Sequence, residues 1–467
     1  MAKRIEKDSL GQMEVPEDAL YGAQTARAVA NFPISGLKPH PAFIRATVTI
    51  KKCAAISNMT TGRLAGEVGS SIVQAADEVL SGLHQEQFVV DPFQAGAGTS
   101  HNMNANEVLA NRALELLGKA RGDFSLVHPN DHVNMAQSTN DVIPTVMRLT
   151  ALQMLDPLLD TIEKLEFALE AKSVEFDTIL KSGRTHLQDA VPIRLGQEFG
   201  AYAAAVRRNR EGLEGCIPSL LELGIGGTAV GTGLNAEPAY ITAIVEEIAA
   251  ATGFPVTAAP NLFESMQNMD PFLELSSALR RTAVTVGRIA NDLRLLSSGP
   301  RTGFDEIRLP PVQPGSSIMP GKINPSMAEM TNMACFQVLG CDQTIMLAVQ
   351  AGQLELNVMM PLIAYNLTFS IDLLNNSVRK FTETCIVGIT ANRERCRKYL
   401  EDSLGLVTVL APSIGYNAAA MVAKESVATG RSIKEIVLSQ GLMKEAELEE
   451  ALRPEHLTEP GLPLGER

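Results

Sequence analysis

In the stretch Phe272-Leu-Glu-Leu-Ser-Ser-Ala-Leu-Arg-Arg-Thr-Ala-Val-Thr-Val-Gly-Arg-Ile-Ala-Asn-Asp-Leu-Arg-Leu-Leu296, apolar residues recur at 272, 275, 279, 286, 289, 293 and 296. The steps alternate three and four, with Thr282 the one lapse in the series. Such a seven-residue repeat, held for about seven turns, predicts a helix with one continuous apolar seam. Leu155, Leu158, Ile162, Leu165 and Leu169 repeat the alternation earlier in the chain. A long seam can be buried only against partners of similar length, which a long helical bundle provides. The predicted fold class is therefore all-α.

The flanks read differently. Up to about residue 140 the helical patterns are shorter and broken by Gly, Pro and Asn, and after about 395 they are short again. With roughly 150 residues per domain as a guide, 467 residues suggest about three domains. They are placed at 1–140 (mostly helical), 141–395 (the long-helix bundle) and 396–467 (small and helical). Strand signals are confined to Gln12–Val15 and to Phe88-Val89-Val90. Ser432-Ile-Lys-Glu435 has capping-box spacing for a helix stopping near Gly441, and Thr458 to Gly465 reads as a loose tail.

Composition narrows the function. Aromatic residues are only 4% and Trp is absent, so packing rests on aliphatic side chains, which favours helix–helix interfaces. A net charge of −13 argues against nucleic acid and anionic membrane surfaces as partners. It also means that a small anionic ligand is held by local cations and helix N-termini, against the overall field. No apolar run reaches the roughly 18 residues of a membrane span, and the basic start lacks the apolar stretch of a secretory signal. Cys53, Cys216, Cys335, Cys341, Cys385 and Cys396 form no Cys-x-x-Cys pair; buried reduced thiols in a cytoplasmic protein are expected.

Four segments break the helical rhythm with small polar residues. They are Gly96 to Asn104, His128 to Asp141, Ser182 to Asp189, and Gly315-Ser-Ser-Ile-Met-Pro-Gly-Lys-Ile-Asn-Pro325. Each precedes a long helical pattern, so each is expected to bring hydroxyls, amides and backbone N–H groups to a helix N-terminus, a ready anion site. Simpler roles stay open. Thr99 and Ser100, or Ser138 to Asp141, serve equally as helix caps, and His186 as a structural histidine. His128 and His132 have helical metal-ligand spacing, but Pro129 disfavours helix at His128 and no metal is expected. Gly224-Ile-Gly-Gly-Thr-Ala229 matches a dinucleotide fingerprint but lacks its strand and βαβ unit, so a tight turn near the site is expected instead. The fourth segment sets Ser316 and Ser317 beside Lys322 on a loop rich in Gly and Pro, as a mobile lid requires. No Gly-x-Ser-x-Gly elbow is present, so hydrolase chemistry is not supported.

Gly315 to Pro325 resembles the signature loop of the fumarase/aspartase superfamily, and the other three segments resemble its remaining site segments in the same order. The resemblance runs over nearly the whole chain. It implies a homotetramer with a twenty-helix core, sites built from three subunits, and elimination from a succinyl skeleton to give fumarate; no cofactor is expected. By the same resemblance Ser316 is the base that takes the proton beside the β-carboxylate. Thr99, Ser138, Thr139 and the Ser317 backbone would hold that carboxylate. Thr185, His186, Lys322 and Asn324 would hold the α-carboxylate and amine region, Asn140 would lie near the leaving group, and Glu329 would pair with His186.

Finer marks bear on the substrate, a small dicarboxylate. Gln137-Ser-Thr-Asn-Asp141, Gly98-Thr-Ser100, Asp189-Ala-Val-Pro192, Ala351 to Val358 and Gly388-Ile-Thr-Ala-Asn392 resemble the ammonia-lyases that act on L-aspartate. Gly226 to Asn235 is closer to the fumarate hydratases. Ala136 and Met360 match neither pattern well and keep a carbon–nitrogen lyase with another amino-acid substrate in view.

Overall fold

The seam is buried as its spacing requires. In the computed structural model, which describes residues 2–461, all eight positions from Phe272 to Leu296 lie inside the Asp270–Leu296 helix and are buried. Thr282 fits because its hydroxyl donates to Ala278 O at 2.9 Å, satisfying its own polar group within the helix. Leu155 to Leu169 are likewise fully buried within the Thr139–Glu175 helix. Helix makes up 62% of the chain, and the strands of the described residues form only two-stranded pairs. The class is all-α. No helix among the described residues is long and apolar enough to cross a membrane, and all six cysteines are free and buried.

Two compact units emerge. Within the described residues the first comprises 2–159, 211–283 and 336–375; the second comprises 160–210, 284–335 and 376–461. A core in the first unit gathers Ile44, Val48, Ile72, Val79, Val108, Leu109 and Val133. In the second unit, Leu400, Leu410, Val422, Ile436, Val437 and Leu448 form another.

Several local expectations are met. Gln12–Val15 falls in the Gly11–Pro16 strand, paired antiparallel with Lys3–Asp8. Ser432 and Glu435 make the reciprocal capping box, and the helix they open ends at Ser439. Two expectations fail. Phe88 to Val90 is not a strand: Val89 N donates to the Asn104 side chain at 2.9 Å and Val89 O accepts from Lys38 Nζ at 3.1 Å, so side chains take the ladder's place. The start of the supposed tail is anchored. Thr458 ends a short helix and bonds Arg194 and Gln197, and Glu459 pairs with Arg194. The remainder of that segment, from 462, lies outside the described residues.

Candidate functional site

The first unit brings two helix N-termini together. The Thr99–Leu116 helix is capped by Gly98, which at φ +87° occupies the left-handed region open to glycine. Thr99 and Ser100 are therefore its first residues rather than its caps, and Thr99 is exposed. A Cβ on Gly98 would lie 3.0 Å from Ile143, so the bare backbone also lets the two helix starts approach.

The Thr139–Glu175 helix is capped as one reading of the sequence held. Ser138 Oγ accepts from Asn140 N at 3.2 Å, and Asp141 Oδ1 accepts from Ser138 N at 2.9 Å. The cap leaves the Ser138 hydroxyl hydrogen free. Thr139 Oγ1 accepts from Asn102 Nδ2 at 3.2 Å, which leaves its hydrogen free as well. Two hydroxyls at one positive helix end, with lone pairs engaged and hydrogens available, are set to donate to an anion.

Asp141 does more than cap. Its Oδ2 accepts from Gly226 N at 3.0 Å and Thr228 N at 2.9 Å. The Gly224–Ala229 run is thus a turn fastened to this helix start, as expected, and Asn140 Nδ2 donates to Ala229 O at 2.8 Å. Burial pushes the Asp141 carboxyl up to about 6, against the pull of those three N–H groups and of Lys51.

Lys51 escaped the sequence reading. It lies in the apolar run of the Pro41–Thr60 helix, where only its neighbour Lys52 reaches an acid, Asp77. Lys51 is completely buried, donates to Asn134 Oδ1 and Gln137 Oε1, and burial brings its pKa down to about 7. A cation inside an otherwise apolar helix face was the available signal. His128 and His132 serve the adjoining turn: His128 Nδ1 accepts from Asn130 N and Asp131 N, and His132 Nδ1 accepts from His128 N.

The second unit holds the remaining candidates. Ser182 to Asp189 is not a helix start, a correction to the expectation. It is the turn of a hairpin joining Leu180–Thr185 to Gln188–Arg194. His186 and Leu187 adopt φ +55° and +60°, the geometry of a tight hairpin turn, where Asn and Gly are the usual residues. Side chains there cost strain, which points to a use for what they display. Thr185 and His186 stand exposed, so His186 is not a buried structural histidine. The hairpin is rooted by Glu306, fully buried between Lys181 at 2.9 Å and a two-pronged Arg184 at 2.9 and 3.0 Å. Arg184 also lies over the Phe304 and Tyr399 rings. None of these anchors was singled out from sequence, because their pairing spans more than a hundred residues.

Gly315 to Pro325 is an open loop closed at its base. Gly315 N donates to Lys322 O at 2.8 Å, and Asn324 Nδ2 donates to Gly315 O at 2.8 Å. Ser316 Oγ accepts from Ile318 N and Met319 N, each at 3.2 Å. Two backbone donors on one hydroxyl oxygen stabilise its deprotonated form, as donors in an oxyanion hole do. Lys322 is exposed with no acidic partner among the described residues, and Ser317 is exposed beside Ser316. Glu329 lies in the first turn of the Ser326–Gln350 helix. No hydrogen bond or ion pair joins it to His186 within the chain, so the expected pairing is not made inside one subunit.

Residues 11–340 match the family described as "Lyase", and residues 406–459 match that described as "Fumarase C C-terminus". The chain belongs to the fumarase/aspartase family of lyases. Among relatives, it is 50% identical to the aspartate ammonia-lyase of Bacillus subtilis (strain 168) over 459 residues, 98% of this chain and 97% of that one. It is 46% identical to the aspartate ammonia-lyase of Escherichia coli (strain K12), over 98% of this chain and 96% of the relative. Among solved structures, a fumarate lyase:delta crystallin from Brucella melitensis bound to cobalt superposes with a TM-score of 0.95 at 48% identity. It covers 98% of this chain and 100% of its own. The class II fumarase of Schistosoma mansoni gives 0.93 at 37% identity, covering 97% and 98%.

Proposed function

We propose that this protein is a carbon–nitrogen lyase that eliminates ammonia from L-aspartate to give fumarate, acting as a cytoplasmic homotetramer. The observation that carries the substrate is the 46–50% identity, end to end, with aspartate ammonia-lyases. The geometry suits the chemistry. A proton beside a carboxylate is very weakly acidic, and its removal places a second negative charge on that carboxylate. The barrier falls only if donors are already aimed at that charge. Ser138 and Thr139 supply hydroxyl donors at one helix start, Thr99, whose hydroxyl reaches Gly96 O at 3.4 Å, adds another at a second, and the Ser317 backbone is assigned to the same carboxylate.

Ser316 takes the proton, its oxygen steadied by the Ile318 and Met319 amides. Lys322, Asn324, Thr185 and His186 receive the α-carboxylate and amine region, Glu329 pairs with His186 from another subunit, and Asn140 faces the leaving group. The amine leaves as ammonia carrying the bonding pair, and the carbanion's pair becomes the new double bond. Closure of the loop excludes water and strengthens each contact.

Gly226 to Asn235, closer to hydratases, supports a second reading in which fumarate and L-malate interconvert. Purified protein offered L-aspartate and L-malate in parallel separates the two by fumarate absorbance. Fumarate from aspartate alone is expected. Fumarate from malate alone would replace the reading with the hydratase. Silence with both would move it to another amino acid, starting from Ala136, whose φ of +58° is strained for a residue with a side chain.

A further inference from the structure

A threonine hydroxyl binds an anion only if its hydrogen points at the anion, and the residues beneath Thr139 govern that direction. The chain of causes begins at Lys51. A charged ammonium donates and never accepts, and even as a neutral amine Lys51 keeps two hydrogens for two acceptors. Lys51 Nζ lies 2.8 Å from Asn134 Oδ1 and 2.9 Å from Gln137 Oε1, so both amides must turn their oxygens toward it. Asn134 Nδ2 then faces the other way and donates to Gln137 O at 3.2 Å.

Asn134 Oδ1 in turn accepts from Asn102 Nδ2 at 3.2 Å and from Asn106 Nδ2 at 3.3 Å. Rotating the Asn102 amide would press its carbonyl oxygen against that of Asn134, so Nδ2 is held in place. Its second hydrogen goes to Thr139 Oγ1 at 3.2 Å. Thr139 starts its helix, and its hydroxyl hydrogen has no acceptor among the described residues. Lys51 and Asn102 thus both donate to Asn134 Oδ1, and the remaining Asn102 hydrogen is left to donate to Thr139.

The arrangement is costly. Asn102 Oδ1 and Asn106 Oδ1 are buried without a partner, and a polar cluster serving the fold alone is normally satisfied throughout. We propose that Lys51, Asn134 and Asn102 form a hydrogen-bond relay whose fixed donor and acceptor roles hold the Thr139 hydroxyl as a donor toward the substrate carboxylate. Asn102 is then a positioning residue that acts through Thr139. The assignment rests on the reading of Thr139 as a carboxylate ligand given above.

Asn102→Asp tests it, because the shape is nearly kept while a donor becomes an acceptor. Thr139 then turns its hydrogen inward and offers lone pairs to the carboxylate. A lost bond to a charged group is worth roughly 10- to 100-fold in kcat/KM. The variant is expected to lose that much, as is Thr139→Val. The inhibition constant of succinate, a dicarboxylate with no leaving group, rises by about tenfold or more on the same reasoning. The thermal midpoint falls as well, since the new carboxylate oxygen meets Asn134 Oδ1, and the double-variant cycle separates that loss from the effect on Thr139. In the Thr139→Val background Asn102→Asp costs no more than about twofold further, since coupled residues are not additive.

If the two losses multiply instead, or succinate binding is untouched, Asn102 does not act through Thr139 and the relay is wrong. Should Asn102→Asp fold poorly, Asn102→Ala removes the same donor and is read in the same cycle. A wild type that neither forms fumarate nor binds succinate would refute the carboxylate site itself, an outcome distinct from an active wild type with an additive cycle.

Discussion

Replacing Ser316 by alanine removes one oxygen and tests the assignment of the base. In the folded loop that oxygen accepts from Ile318 N and Met319 N at 3.2 Å. Each amide bond is worth about 1.5–3 kcal/mol to a charged oxygen against about 0.5–1.5 kcal/mol to a neutral one, so the two favour the alkoxide by about 2–3 kcal/mol. Loss of a positioned base costs about 10²–10⁴ in rate. Ser316→Ala is expected to reduce kcat by at least about a hundredfold, while KM for aspartate moves only a few-fold because the carboxylate ligands remain. Ile318 and Met319 are exposed, so water re-satisfies their amides and the thermal midpoint stays nearly constant. Initial rates of fumarate formation, with melting curves on the same preparation, read both. More than a tenth of wild-type kcat in a cleanly folded variant would refute Ser316 as the base.

Lys322→Ala should raise KM sharply, because an unpaired cation facing a carboxylate supplies ground-state binding as well as transition-state stabilisation. A fall in kcat alone would confine Lys322 to the transition state. Gly315→Ala places a Cβ 2.6 Å from Lys322 O and 2.9 Å from Asn324 N. The base of the loop must open, so activity should drop at least about tenfold, the scale of a misplaced catalytic group, without loss of fold; near-normal rates would show the loop geometry to be dispensable. His101 is buried against Thr47, and burial brings its imidazole down to about 3, with Lys51 adding to the effect. The folded chain refuses a proton that the unfolded chain accepts below its ordinary value of 6.5. This stability is complete above 6.5 and is lost as pH falls toward 3, at roughly 1.4 kcal/mol per unit. His101→Gln should therefore flatten the acid limb of thermal stability, and an unchanged limb would contradict the assignment.

The sequence by itself determined the helical class, because burial of one face imposes a period on the residues that cover it. The 272–296 and 155–169 seams are buried at every position for that reason. Local chemistry was equally legible: Ser432 with Glu435, Ser138 with Asp141, and the Gly224–Ala229 turn all depend on neighbours a few residues apart or on glycine's freedom. The loop at 315–325 pointed to its family through its resemblance to that family's signature motif. Tertiary structure alone decided which donor meets which acceptor. Lys51 finds Asn134 and Gln137 more than eighty residues away, Asp141 finds Gly226 and Thr228, and Glu306 roots a hairpin where a helix start was expected. Periodicity records that a residue is buried, not what it is buried against. A polar side chain's partner is fixed only when the packed helices leave it one place to turn.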